Sequence, residues 1–389
     1  MRRIVCLVMV VVLIGFGQGR AVAAPGDLAR TFRNPKPGIG DEFGRSIAVI
    51  GEDVLVGAPA DDTDATDAGI VYVFDGSTGR LLRTFHNPEP AAGDHFGWSV
   101  AVVGENVLVG AYADDHGAGA AHLFDGATGR LLRTFRNPEP AAGDLFGRTV
   151  AALADKVLVG ACSDDQGAGA VWVFDLSAKN TLKIANPRPT AGDRFGLALA
   201  ALDGNILVGA YGEDTVGDND GAAYLFDGST GRLLRTFENP QPESSGEMGI
   251  SVAVLGGDFV IGAGRDDSDV GIAYLLDGST GRLLRTFRNP TPENGDFFGV
   301  PVAVAGGNVL VGATADHADA NQGGAVYLFD GATGELLLTI ANPPPRAEDC
   351  FGVPVTAVGQ KVLIGAPCDD EDATDSGIVY LFESVPASK

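Results

Sequence analysis

Four cysteines, two tryptophans and five histidines in 389 residues leave too little material for a disulfide scaffold or a histidine-rich metal centre. Cationic side chains are also scarce: 27 Lys and Arg against 51 Asp and Glu give a formal charge of -24. A chain this acidic repels nucleic acid and anionic lipid heads, so neither is an expected partner, and it attracts cations and basic patches on other proteins. No apolar run beyond residue 23 is long enough for a membrane helix, so membrane insertion is not expected. Helix signals are nearly absent. Instead, 56 glycines and 21 prolines punctuate short apolar runs, a composition that suits many strands joined by tight turns.

The one long apolar run, Ile4 to Phe16, follows Arg2 and Arg3 and precedes Ala21-Val22-Ala23. This order gives a signal peptide over 1–23: a positive start, an apolar stretch short for a bilayer, and small residues where a peptidase reads. The mature chain, 24–389, is then expected to be exported: secreted, on the cell surface or periplasmic. Loss of Arg2, Arg3 and Arg20 takes the charge from -24 to -27.

Past the leader the chain repeats itself. Phe-Gly recurs at Phe43, Phe96, Phe146, Phe195, Phe298 and Phe351, with Met248-Gly249 standing in once, which makes seven units. Each holds four strand-like runs, in the first unit Arg45 to Ile50, Val54 to Gly57, Ile70 to Phe74 and Arg80 to Phe85. The second run is apolar on both faces, so both must be covered. Asp75-Gly76-Ser77-Thr78-Gly79 joins the third run to the fourth as a turn suited to positive backbone angles. Four antiparallel strands per unit, covered by their neighbours, predict an all-β fold, a seven-bladed β-propeller. The last unit stops at Phe382 without a fourth strand, and Leu28 to Phe32 matches Leu82-Arg83-Thr84-Phe85. The N-terminal strand is therefore expected to complete blade seven and remove an open sheet edge.

Phe-Gly, Gly57-Ala58-Pro59 and Gly69-Ile70-Val71-Tyr72-Val73-Phe74 together resemble the FG-GAP repeat, the unit of the integrin α-subunit propeller. The resemblance implies protein recognition on the loop face. Calcium-binding members carry an Asp-x-Asp-x-Asp-Gly loop between the Phe-Gly and Gly-Ala-Pro strands. Here that place holds Gly51-Glu52-Asp53 or turns equally short, so the family's metal site does not carry over, and the short-hairpin variety of secreted bacterial proteins is the closer likeness. Phe74-Asp75-Gly76-Ser77-Thr78-Gly79-Arg80-Leu81 is also similar to quinoprotein propellers. Those follow it with a blade-docking tryptophan, where this chain has Arg83 and Thr84, and they typically have eight units.

Each loop between the second and third runs opens with acids: Asp61-Asp62, Asp114-Asp115, Asp164-Asp165, Glu213-Asp214, Asp266-Asp267, Asp316 and Asp369-Asp370. A second set lies two residues before Phe-Gly, at Asp41, Asp94, Asp144, Asp193, Asp296 and Asp349. Both sets belong at one end of the propeller. Sevenfold recurrence argues for turn-forming and against catalysis at any one of them. The longest loops offer the best cation candidates, with Ca2+ as the fitting ion: Asp61, Asp62, Asp64 and Asp67; Asp214, Asp218 and Asp220; Asp369, Asp370, Asp372 and Asp375. His95 and His116 are expected to crowd with Asp94, Asp114 and Asp115, while His86, His122 and His317 show no evident partner. Cys350 and Cys368 fall nearly opposite when counted back from the Gly359-Gln360 turn, within disulfide reach. Cys162 then remains as a buried small hydrophobe.

The leading expectation is an exported, non-enzymatic, monomeric binding module whose acidic loop face meets a protein, glycan or cation. An enzyme, a hydrolase or quinoprotein-like redox protein, would need a non-repeating polar cluster on the first strands lining the channel. The runs there, such as Ser99-Val100-Ala101-Val102, are apolar. A structural surface or matrix protein would instead self-associate.

Overall fold

A computed structural model describes residues 26–383 apart from 216, 243–244, 317–322, 344–345 and 347; the leader and His317 lie outside these. Seven four-stranded antiparallel sheets make up the described chain. In blade one the strands are Ser46–Ile50, Asp53–Ala58, Ile70–Phe74 and Leu81–His86. First strands of successive blades touch one another around the ring, and those of blades one and seven close it, so the first strand is innermost. Leu28–Arg33 pairs antiparallel with Ile378–Phe382, Phe32 opposite Val379, and supplies the outer strand of blade seven. The expected closure is thus present. The described residues contain no helix long and apolar enough to cross a membrane.

The core consists of layers between blades. One layer combines Leu55, Val71, Val73 and Phe85 of blade one with Phe96, Val107, Val109 and Phe124 of blade two. The Phe of each Phe-Gly stands edge-on to the last aromatic of its own third strand, as Phe43 does to Phe74 at 5.9 Å. The two conspicuous ends of the motif meet at the blade interface. A Cβ on Gly57 would collide with the carbonyl oxygen of Gly97, and Gly110 stands in the same relation to Gly147. Ser46 Oγ also donates to the Gly97 carbonyl at 2.7 Å, Ser99 to Gly147 at 2.9 Å and Ser251 to Gly299 at 2.6 Å. Close backbone approach with a hydroxyl clasp is therefore what this serine position and the two glycines serve.

At the opposite end, Asp75 Oδ1 accepts from Ser77 N (3.0 Å), Ser77 Oγ (2.7 Å) and Thr78 N (2.7 Å), which holds its carboxyl below the usual aspartate range. Arginines of the outer strands reach the carbonyls of this turn in the next blade. Arg30 bonds Ser77 and Thr78, Arg83 bonds Gly126 and Ala127, Arg235 bonds Ser279, and Arg285 bonds Gly331. A guanidinium thus docks blades where the quinoprotein pattern would place a tryptophan.

Candidate functional site

The loops between second and third strands lie at the Phe-Gly end, each on the connection to the next blade. Gly93 N donates to Thr66 O at 2.9 Å and His95 N to Asp67 O at 3.1 Å. Across the ring closure, Gly40 N donates to Thr374 O at 2.8 Å and Glu42 N to Asp375 O at 3.1 Å. The two acid sets therefore meet, and the acids before Phe-Gly and the first acid of each loop are buried. Asp41, Asp94, Asp144, Asp193, Asp296 and Asp349 are each at most 4% exposed. An asparagine seven residues earlier donates to each, as Asn34 to Asp41 at 2.7 Å and Asn137 to Asp144 at 2.8 Å. The same asparagine accepts the amide two residues on, Lys36 N to Asn34 Oδ1 at 3.0 Å, an Asx turn before the connection.

In blades one, five, six and seven the first acid of the loop bonds a tyrosine in the middle of the third strand. Tyr72 donates to Asp61 at 2.9 Å, Tyr274 to Asp266 at 2.6 Å, Tyr327 to Asp316 at 2.8 Å and Tyr380 to Asp369 at 3.2 Å. Burial beside a neighbouring carboxylate pushes several of these acids up. Asp349 rises to about 6 through desolvation, with Asp369 as its like-charged neighbour. Glu213 rises to about 7 through desolvation and then Asp193. Blade five departs instructively. Gly246 replaces the acid before Phe-Gly, and Asn239 donates to both oxygens of Asp266 at 3.0 Å; a side chain at Gly246 would collide with Asp266.

Among the eleven cation candidates, Asp61, Asp220 and Asp369 are buried within their own loops. Asp61 Oδ1 accepts Thr63 N at 2.8 Å, Asp220 accepts Thr215 N at 2.8 Å and Thr215 Oγ1 at 2.6 Å, and Asp369 accepts Glu371 N at 2.8 Å. Asp62, Asp214 and Asp370 each clasp the amide five residues on, at Asp67, Asn219 and Asp375, with distances of 2.8, 2.7 and 2.7 Å. Asp64 meets His86 Nδ1 at 2.7 Å and Asp372 meets Arg33 at 2.9 Å. Asp218 lends its carbonyl to Ser245 N at 2.7 Å. The described residues bring no three Asp, Glu, His or Cys together in a group that could hold a metal.

The histidines differ from expectation. His86 pairs with Asp64, and buried His122 takes the tyrosine position of blade two, its Nε2 3.5 Å from Asp114 and its Nδ1 3.1 Å from Thr134 Oγ1. His116 borders an acidic pocket of about 390 Å³ with Asp94, Asp114, Asp115 and Arg136, but His95 does not line it and stacks on Tyr112 at 5.2 Å. Cys350 and Cys368 form a disulfide with Cα atoms 5.5 Å apart, and Cys162 is free and buried.

A family model for the FG-GAP repeat matches residues 38–74, 85–124, 137–174, 182–226 and 292–329, just over half of the chain. The chain belongs to the FG-GAP repeat family. No curated protein matches it. Within this FG-GAP propeller the matched stretches end on the third strands and cover the buried acids Asp41, Asp94, Asp144, Asp193 and Asp296 with Asn87, Asn137, Asn186 and the inner glycines Gly57 and Gly110, while blades five and seven lie outside them. The remainder of the loop face is where the repeat varies. One feature there escaped sequence reasoning. The residue after Phe-Gly is apolar in blades four to seven but is Arg45, Trp98 and Arg148 in blades one to three. Comparing that single position down the repeats would have exposed it.

Proposed function

We propose that this FG-GAP propeller is an exported, non-enzymatic binding module that presents its loop face to a protein or glycan. The observation that carries the reading is where the sevenfold pattern breaks. Inner glycines, buried acids and blade-docking arginines repeat, while the long loops of blades one, four and seven rise beside the short turns Asp114–Gly117 and Asp164–Gly167. Exposed acids crown the long loops: Asp62, Asp64, Asp214, Asp218, Asp370, Asp372 and Asp375. A scaffold constant around the ring with one uneven acidic face suits selection of a macromolecule with basic groups. Fold alone hosts many functions, and it is the uneven face that favours binding.

The test is biolayer interferometry of the mature chain against immobilised extracellular proteins and glycans, beside a variant whose loop 61–69 is exchanged for the shorter 114–119. The reading expects a binder, weakened by added salt and lost in the exchange variant. Finding no binder, or one that ignores the exchange, overturns it.

A further inference from the structure

The rim of the loop face is acidic, but its centre is not. Arg45 Cζ lies 4.2 Å from the centroid of the Trp98 ring and Arg148 Cζ 4.7 Å from it, so two guanidiniums from different blades face one indole. Arg148 is also 5.1 Å from the Tyr112 ring, which packs edge-on against Trp98 at 4.8 Å. Arg194, one residue before Phe195, donates to Ser163 Oγ. Arg148 and Arg194 both act electrostatically on the buried Cys162 thiol and on Tyr211, so they share one neighbourhood. Because the first strands are innermost, this group stands at the mouth of the central channel.

Its charge balance is unusual for this chain. Other arginines pair with carboxylates, as Arg33 with Glu371, Arg188 with Glu238 and Arg265 with Glu247 at 2.7, 3.1 and 3.2 Å, or with the turn carbonyls that dock the blades. Among the described residues Arg148 and Arg194 form no ion pair. Arg45 has Glu42 only at 3.9 Å, beyond hydrogen-bond reach, with 30% of its side chain exposed. Glu247 nearby is committed to Arg265. Three guanidiniums thus converge with one loosely placed carboxylate among them, in a protein with nearly twice as many acids as bases. Aromatic faces hold Arg45 and Arg148 in place, and Arg148 and Arg194 also hydrogen-bond Tyr112 and Ser163. A guanidinium has five donors, and those that remain can match an oxyanion.

We propose that the channel mouth at Arg45, Arg148 and Arg194 is an oxyanion site, taking a carboxylate, sulfate or phosphate group of a ligand. Arg148 is the central donor, and Arg45 and Arg194 flank it. The acidic rim disfavours polyanions, so the site selects a ligand whose negative charge is confined to one group. The inference does not depend on the macromolecular partner proposed above.

Trp98 supplies the readout, since Trp172, the other tryptophan, is 5% exposed and packed in blade three. Glucuronate, sulfate and phosphate are titrated separately into the mature protein at constant ionic strength, which removes screening differences. At least one is expected to give a saturable change in tryptophan fluorescence, and the strongest arm names the group preferred. Arg148→Gln is expected to weaken that anion about tenfold or more, the loss of a charged hydrogen-bonding partner, with Arg148→Lys in between. Arg194→Gln gives a second reading should the first variant misfold, and thermal melts verify folding of each. Absence of saturation for all three anions, or equal affinity in the folded glutamine variants, overturns the proposal.

Discussion

Rim and centre of the loop face are built from the same repeat and end in opposite states. At the rim, Asp144 is enclosed by Asn137 and the Ala141 amide, and each of the first loop acids Asp61, Asp266, Asp316 and Asp369 has a tyrosine hydroxyl. At the centre, Arg45 and Arg148 rest on aromatic faces, and among the described residues no carboxylate lies within hydrogen-bond reach of either. The difference teaches that charge density alone does not mark a site in a repeat protein. Charges that recur in register with the blades are consumed by them, and charges that break register are left free to act. The recurring acids, expected from their repetition to serve turns, are mostly a hydrogen-bonded seam, and the sites to probe are the irregular ones.

The sharpest break of the scaffold side is Gly110→Ala. Its Cβ would enter the Gly147 carbonyl at the interface of blades two and three, and a loss of about 3 kcal/mol or more is expected in denaturant melts. Retention of full stability would show that the interface has slack there.

The pH dependence is next in size. Glu213 titrates at about 7 in the folded chain because burial and Asp193 disfavour its charge. A raised folded value means stability present below the unfolded glutamate range and lost as pH rises through about 7. From pH 4.5 to 8 that loss approaches roughly 3 kcal/mol. Asp349, at about 6, acts in the same sense over a lower window. Glu213→Gln is expected to flatten the upper part of the curve; an unchanged curve would place the charge in water. Asn137→Ala, which takes one donor from buried Asp144, is expected to cost about 2 kcal/mol.

Calcium makes the smallest difference. With the candidate acids committed to amides, tyrosines and arginines, millimolar Ca2+ against chelator is expected to shift Tm by less than about 2 °C. A larger rise, abolished by Asp62→Asn, would return cation binding to the long loops.

The fold was legible because its determinants are local and repeated. Phe-Gly, the inner glycines and Asp-Gly-Ser-Thr-Gly recur in order, and the Leu28–Arg33 strand matches its counterparts residue by residue. The roles of individual acids were not. Asp61 and Asp62 are neighbours of one type, yet Asp61 is sealed by Tyr72 eleven residues away while Asp62 stays exposed. Which of two adjacent carboxylates is buried depends on strand register, which composition does not encode. The channel mouth was hidden for a further reason. Arg45, Trp98 and Arg148 are about fifty residues apart, and packing of the first strands of consecutive blades brings them together. The apolar run from Val100 describes the channel wall correctly but begins just past its mouth.

The account stands most directly on one paired measurement: anion affinity by Trp98 fluorescence and Tm by calorimetry, on Arg148→Gln and Asn137→Ala side by side. It predicts that Arg148→Gln loses the anion and keeps its Tm, while Asn137→Ala lowers the Tm and, at a temperature where it is folded, keeps the affinity. If both variants shift the two quantities together, rim and centre form one unit and the division between scaffold and site is wrong.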